Sequence, residues 1–398
     1  MNYSRVHMDA IGYELPPVVV TSQELENRLA PLYEKLHMEA GQLEALTGIR
    51  ERRWWEEGHP LSQGAISAAR KALAQTEVEA GDLEAVVYTG VCRENFEPAT
   101  ACAVASALGV HSDAYIYDIS NACLGMLNGI IDLANRIELK QIRAGMVVSC
   151  ESSREINEIM IERMLAESNI EFYTSSLATL TGGSGAAAVI LTDGSFGDGG
   201  HRLRGAATKA APEHHELCRW GVSLSPVALG KLIFSPDKLL NAFDELTKPE
   251  TLPTALKDLM TNEKLPSSLA RLMPSEKLPE AVNQFMHTDS VAVLKHGARL
   301  GVRTWGAFLS KLGWAKDQVD KVICHQVGSG HRDTILRELG IPPEKDYPTY
   351  RFLGNIGTVS LPLTAALADK RRFLLPGQRV GFLGIGSGLN CLMLGWEW

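Results

Sequence analysis

The chain has 398 residues, 45% hydrophobic and 22% charged, with a formal net charge of −8. This suits a globular enzyme of two domains or two packed halves, not a single small core. The acidic balance, 47 Asp and Glu against 39 Lys and Arg, argues against a nucleic-acid partner, and the dense basic run Arg50–Arg53 is short.

Seven cysteines are scattered along the chain with no C-x-x-C pair. That pattern suggests neither a disulfide framework nor a zinc or other metal site, and a reducing cytoplasm is the expected compartment. The first residues carry no signal-peptide pattern, and no apolar run is long enough to span a bilayer.

In chain order, a strand is expected over residues 4–13, followed by a helix that opens on the capping box Thr21-Ser22-Gln23-Glu24. The run TGIRERR at 47–53 is polar and reads as surface. An Ala-rich amphipathic helix is expected over 62–75, a buried strand over 84–90 and a helix over 97–109. Tyr115-Ile116-Tyr117 begins a strand that turns at Cys123 into a helix over 124–137. Further buried strands are expected at 144–150 and 182–191. This alternation predicts a mostly parallel, covered sheet.

Seven prolines punctuate residues 222–285, which read as a helical, cap-like insertion. Beyond it come a long helix over 291–312, a strand at 321–325 ending in His325, a helix over 329–339 and strands at 380–385 and 390–398. The two halves, 1–200 and 201–398, follow a similar plan, which suggests an internal duplication.

Ligands gather at the carboxyl ends of parallel strands, and four features fall there. Cys123 sits at a strand-to-helix turn, where a helix N-terminus lowers a thiol pKa; by residue type alone it is equally a small buried apolar group. His325 ends its strand and is either a site residue or a satisfied core histidine. Asn355 lies between Gly354 and Gly357, which either let a ligand approach or simply form a turn. The Gly386-Ser387-Gly388 turn offers backbone N–H groups to an oxyanion. A Cys, a His and an Asn far apart in sequence make a set suited to thiol chemistry. The G-I-G-S-G run precedes a strand, which argues against a dinucleotide loop.

These stretches together resemble the thiolase superfamily, and within it the ketosynthase III-like condensing enzymes. The resemblance rests on TGIRERR at 47–53, DISNACLG at 118–125, ICHQVG at 323–328, LGNIGTVSLPL at 353–363 and GIGSGLN at 384–390. A narrower resemblance, to the olefin-biosynthesis thiolases that join two acyl-CoA molecules head to head, rests on FEPATA at 96–101, SCESSRE at 149–155, GGSGAAAVILTD at 182–193 and HHELC at 214–218. It implies a five-layered αβαβα fold, a homodimer, fatty acyl-CoA as substrate and no separate cofactor.

It also implies that Cys123 accepts the acyl group and that His325 and Asn355 form an oxyanion hole and activate the thiol. The Cys123 amide and the Gly386-Ser387-Gly388 turn make a second hole. Arg50, Gly354 and Gly357 are candidates for substrate binding. Glu97 is expected to act as a base in the partner subunit's site; its bland alternative is a carboxylate favoured at a helix N-terminus. Gln42 and Leu46 stand where typical ketosynthase III enzymes carry the tryptophan and arginine that hold adenine.

The implied reaction is a non-decarboxylative Claisen condensation giving a β-ketoacyl product, with a further enzyme of the same pathway as a possible partner. The alternative is a decarboxylating 3-oxoacyl synthase III that uses malonyl-carrier. More distant readings are a hydroxymethylglutaryl-synthase-like enzyme, a degradative thiolase and a silent partner subunit.

Overall fold

In the computed structural model, which describes residues 1–197, 200–224 and 282–398, the N-terminal half contributes five strands to the main sheet. They are β1 (His7–Glu14), β4 (Ala85–Thr89), β5 (Tyr115–Ile119), β6 (Ala144–Glu151) and β7 (Gly185–Thr192). The C-terminal half contributes β8 (His201–Ala210), β11 (Lys321–Cys324), β12 (Arg379–Gly386) and β13 (Asn390–Glu397). Two small pairs complete the set: β2 (Val18–Thr21) with β3 (Glu51–Trp54), and β9 (Cys218–Leu224) with β10 (Val282–Thr288).

The helices of the N-terminal half are α1 (Ser22–Arg28), α2 (Ala30–Lys35), α3 (Gln42–Thr47), α4 (Leu61–Leu73), α5 (Thr100–Leu108), α6 (Gly125–Glu138), α7 (Arg154–Glu167) and α8 (Ile170–Ser176). In the C-terminal half we number the described helices α9 (Ser290–Leu312), α10 (Ser329–Leu339), α11 (Tyr350–Leu353) and α12 (Ser360–Lys370). The expected capping box is present: Thr21 accepts from the Glu24 backbone while the Glu24 carboxylate accepts from Thr21.

The main sheet runs β11-β12-β13-β8-β1-β7-β6-β4-β5. It is mixed, which corrects the expectation of a mostly parallel sheet: only β4–β5, β4–β6 and β11–β12 pair in parallel. The order explains the internal duplication. In each half a parallel pair (β4–β6, β11–β12) is followed by two antiparallel pairings (β6–β7–β1, β12–β13–β8). The place of β5 beside β4 is taken in the second half by a single parallel bridge, Val322 to Asp346.

Three apolar clusters give the layers. Alternate residues of each strand face opposite sides. Val87, Val147 and Val189 face a central layer with α6 and α12, as do Phe382 and Leu394 from the other half. Val86, Val148 and Ile190 face α4 and α5. Val322, Leu383 and Met393 face α9 and α10. Helix, sheet, helix, sheet, helix is the five-layered αβαβα thiolase fold.

One expectation fails. The 47–53 run is not a surface stretch: β3 pairs with β2, so Arg52 and Trp54 point inward. Arg52 is fully buried and donates to Ser22 Oγ at 3.1 Å and the Leu180 carbonyl at 3.0 Å. Burial lowers its pKa to about 10; only Arg50 of the three arginines is exposed. The expected helical insertion at 222–285 lies mostly outside the described residues, and its two ends are strands β9 and β10. By contacts the chain forms two compact units, Met1–Arg219 with His287–Trp398, and Trp220–Met286.

Candidate active site

Cys123 sits in a 3₁₀ turn, Ala122–Leu124, between β5 and the first residue of α6. Ala122, just before it, takes a left-handed φ of 45°, a strain that clusters at functional turns and costs about 1 kcal/mol or more. The turn is braced through Asn121, which donates to Asn128 at 2.7 Å and accepts from Asn390 at 3.2 Å.

The Gly386 end of β12 lies against this turn: a Cβ built at Gly386 would sit 3.5 Å from the Cys123 amide nitrogen. Ser387 and Gly388 complete the turn into β13, held by Asn390 donating to the Ser387 carbonyl at 3.5 Å. The Gly386 backbone and the Cys123 amide are thus brought to one place.

His325 follows β11, and its N–H donates to the Leu383 carbonyl of β12 at 2.9 Å. It is 4% exposed, and its Nδ1 has no partner among the described residues. Burial, aided by His331, lowers its pKa to about 3, so the ring is neutral at pH 7. Gln326, next to it, is fully buried. It donates to the Tyr347 carbonyl at 2.8 Å and accepts from the Thr349 and Tyr350 amides at 2.7 and 2.8 Å. That locks the histidine loop to the start of α11, which leads directly into Asn355.

Asn355 is pinned across to the other half. Its N–H donates to the Thr181 carbonyl at 2.8 Å, its carbonyl accepts from Gly183 at 2.9 Å, and its Oδ1 accepts from Gly357 at 3.1 Å. Gly354 has φ +66°, and a Cβ there would lie 2.4 Å from the Thr181 oxygen. The absent side chain is therefore filled by protein backbone. Thr358 accepts from the Met126 amide in the first turn of α6 at 2.7 Å, so the Asn355 loop touches the helix that carries Cys123.

Glu97 and Arg50 stand apart from this cluster. Both are exposed, Arg50 on the turn between α3 and β3 and Glu97 on the loop between β4 and α5. The α5 N-terminus is capped instead by Asp118 of β5, whose carboxylate accepts from Thr100 and Ala101 at 2.9 and 3.0 Å.

The thiol contradicts one expectation. A helix start was to lower its pKa, yet burial pushes it up to about 12, with the Cys218 thiol and the Glu151 carboxyl adding to the rise. Desolvation outweighs the helix dipole here. We expect iodoacetamide to label Cys123 more slowly than a free thiol at pH 7, with the rate climbing as pH rises well above 9. Rapid labelling at neutral pH, located by peptide mass spectrometry, is the contrary result.

A family model for the C-terminal part of 3-oxoacyl-acyl-carrier-protein synthase III matches residues 309–398. The acyl-CoA:acyl-CoA alkyltransferase of Shewanella oneidensis is 52% identical over 100% of both chains. This chain belongs to the acyl-CoA:acyl-CoA alkyltransferase family.

The alkyltransferase of Xanthomonas campestris is 29% identical, again over 100% of both chains. Crystal structures of OleA from that organism share 28% identity and a TM-score of 0.82, covering 100% of this chain and 98% of theirs, one of them with bound cerulenin. Another, at a TM-score of 0.81, holds lauric acid and lauroyl-CoA. Against that family fold, sequence reasoning missed Gln326, Thr358, Asp118 and Glu151. Glu151 had a legible signal: a carboxylate that ends a strand buried along its whole length.

Proposed function

We infer that this alkyltransferase-family enzyme joins two fatty acyl-CoA thioesters through a cysteine-bound acyl group, by a Claisen condensation without decarboxylation. The observation that carries it is the full-length 52% identity to a protein named acyl-CoA:acyl-CoA alkyltransferase. The convergence of the Cys123 turn, the Asn355 loop and the Gly386 turn is what such chemistry requires. A decarboxylating 3-oxoacyl synthase is not favoured by these relatives.

In the first half-reaction the Cys123 sulfur attacks the thioester carbon. The proton of the Cys123 thiol ends on the departing CoA thiolate, and neutral His325 is assigned to assist that transfer by hydrogen bonding. The Cys123 amide and the Gly386-Ser387-Gly388 turn stabilise the oxyanion. In the second, Glu97 removes an α-proton from the next acyl-CoA, while His325 and Asn355 hold the enolate oxygen. The carbanion attacks the acyl group, a carbon–carbon bond forms, and the Cys123 thiolate is released. Fixed donors are worth about 3–4 kcal/mol each at such a charge, and a weakly acidic α-carbon needs them as much as the base. Hydrolysis then gives a β-keto acid. Arg50 is assigned to substrate binding, whereas Gly354 and Gly357 let their loop pack on Thr181 and Glu151.

Glu97 acts across a homodimer. Three features support this. The β5 strand is the last in the sheet order, and an open strand edge invites pairing with a second copy. Phe96 beside Glu97 is wholly exposed. In solved OleA variants the replaced glutamate lies as many residues before the replaced cysteine as Glu97 lies before Cys123. The expected compartment remains the cytoplasm; no helix among the described residues is long and apolar enough to cross a membrane.

Purified protein given one saturated acyl-CoA, and no malonyl thioester, is expected to yield a β-ketoacyl product or its acid, read by mass spectrometry. Absence of product over a range of chain lengths contradicts the reading.

A further inference from the structure

One buried acidic group has no part in the reaction above. Glu151 ends β6 and is 4% exposed. Its carboxylate accepts from the Val91 amide at 3.1 Å and the Cys92 amide at 3.3 Å, both on the loop that goes on to Glu97. The Gly357–Thr358 backbone, on the loop that carries Asn355, lies against the same carboxylate. A Cβ built at Gly357 would lie 3.2 Å from the carboxyl carbon, so that loop packs directly on it. Thr358 in turn accepts from Met126 at the start of the Cys123 helix.

We propose that Glu151 is a positioning residue: one buried carboxylate that ties the Glu97 loop to the Asn355 loop and, through Thr358, to the helix that carries Cys123. This rests on the condensation reading above. Two backbone donors of the Glu97 loop meet the two oxygens of this carboxylate while the Asn355 loop packs on it, and no neutral side chain of the same size offers both oxygens as acceptors. A glutamine presents one oxygen and one NH₂ group, and the NH₂ faces a donor. It keeps the shape but breaks one tie. In each site the enolate donors of one chain and the base supplied by its partner then both lose an anchor, while Cys123 keeps its own. Placement errors near 1 Å cost about 10²-fold in rate.

Burial pushes up the pKa of the Glu151 carboxyl itself, and its charge is among the causes that raise the Cys123 thiol pKa. The other titratable groups at these two positions are Tyr88, Cys92 and Cys150 around Glu151, and Cys218 beside Cys123. Removing the negative charge therefore has a signature that a purely structural role lacks: the Cys123 alkylation profile moves to lower pH.

The test compares wild type with Glu151→Gln in the full-length protein. Three quantities are measured: acylation of Cys123 by acyl-CoA, steady-state condensation, and the pH dependence of Cys123 alkylation. The expected result is acylation within about threefold of wild type. Condensation kcat falls about 10- to 100-fold while KM changes by less than about threefold. The alkylation profile moves to lower pH. Wild-type condensation in the variant overturns the proposal, as does an equal loss of acylation and condensation with an unmoved profile. If the glutamine variant does not fold, Glu151→Asp, one methylene too short to reach both loops, is expected to show the same split between acylation and condensation. A wild-type partition in it overturns the proposal. A wild-type enzyme that acylates but never condenses overturns the condensation reading, and this proposal with it. A wild-type enzyme that condenses beside an indifferent Glu151→Gln overturns this proposal alone.

Discussion

Replacing Cys123 with alanine is expected to abolish the acyl-enzyme and to lower condensation by at least about 10⁴-fold. The intact-protein mass after incubation with acyl-CoA reads the first effect, and product formation reads the second. The size follows from the chemistry. Without the sulfur the acyl group has no covalent station between two binding events, and the remaining oxyanion donors have no intermediate to hold. The fold should survive, because Cys123 is small and its turn is held by Asn121, Asn128 and Asn390 rather than by the thiol. A variant that still gains the mass of an acyl group assigns the nucleophile elsewhere; Cys218, which faces Cys123, is the first place to look.

The second large effect concerns Glu97. Glu97→Ala should acylate Cys123 normally and lose condensation by about 10²- to 10⁴-fold, the usual range for a general base. Because Glu97 is exposed in the single chain, its role depends on a second copy, and complementation tests that directly. Mixed dimers of Glu97→Ala and Cys123→Ala subunits carry one site with an intact cysteine from one chain and an intact glutamate from the other. Activity regained on mixing, at up to about half the wild-type level for one working site in two, supports a base supplied in trans. Mixed dimers as inactive as either parent contradict it. A carboxylate withdrawn from water into such an interface becomes a stronger base, which is how so weak an acid–base group can reach a thioester α-proton.

Particular residues show how much was legible beforehand. Strands β4, β6 and β7 are buried on both faces and so read as unbroken apolar runs. The Cys123 turn, His325, Asn355 and the Gly386 turn were marked by one rule, that polar groups at strand ends face ligands. Sheet direction was not legible. The alternation of strands and helices implied a mostly parallel sheet, whereas β6 and β7 are antiparallel neighbours. Strand β8, central to the sheet, was missed because His201-Arg202-Leu203-Arg204 opens it with charge at partly exposed positions. The thiol pKa was misjudged for a physical reason: a helix start is visible in sequence, but the desolvation that overrides it depends on what packs around Cys123 from β9 and β6.

The most direct test of the account gives the purified enzyme α-deuterated acyl-CoA together with malonyl thioester labelled in its free carboxyl group. The account predicts that two acyl chains are joined, that deuterium at the α-carbon slows the condensation, and that no labelled CO₂ is released. Labelled CO₂, with a product extended by two carbons and no isotope effect, is the result that contradicts it.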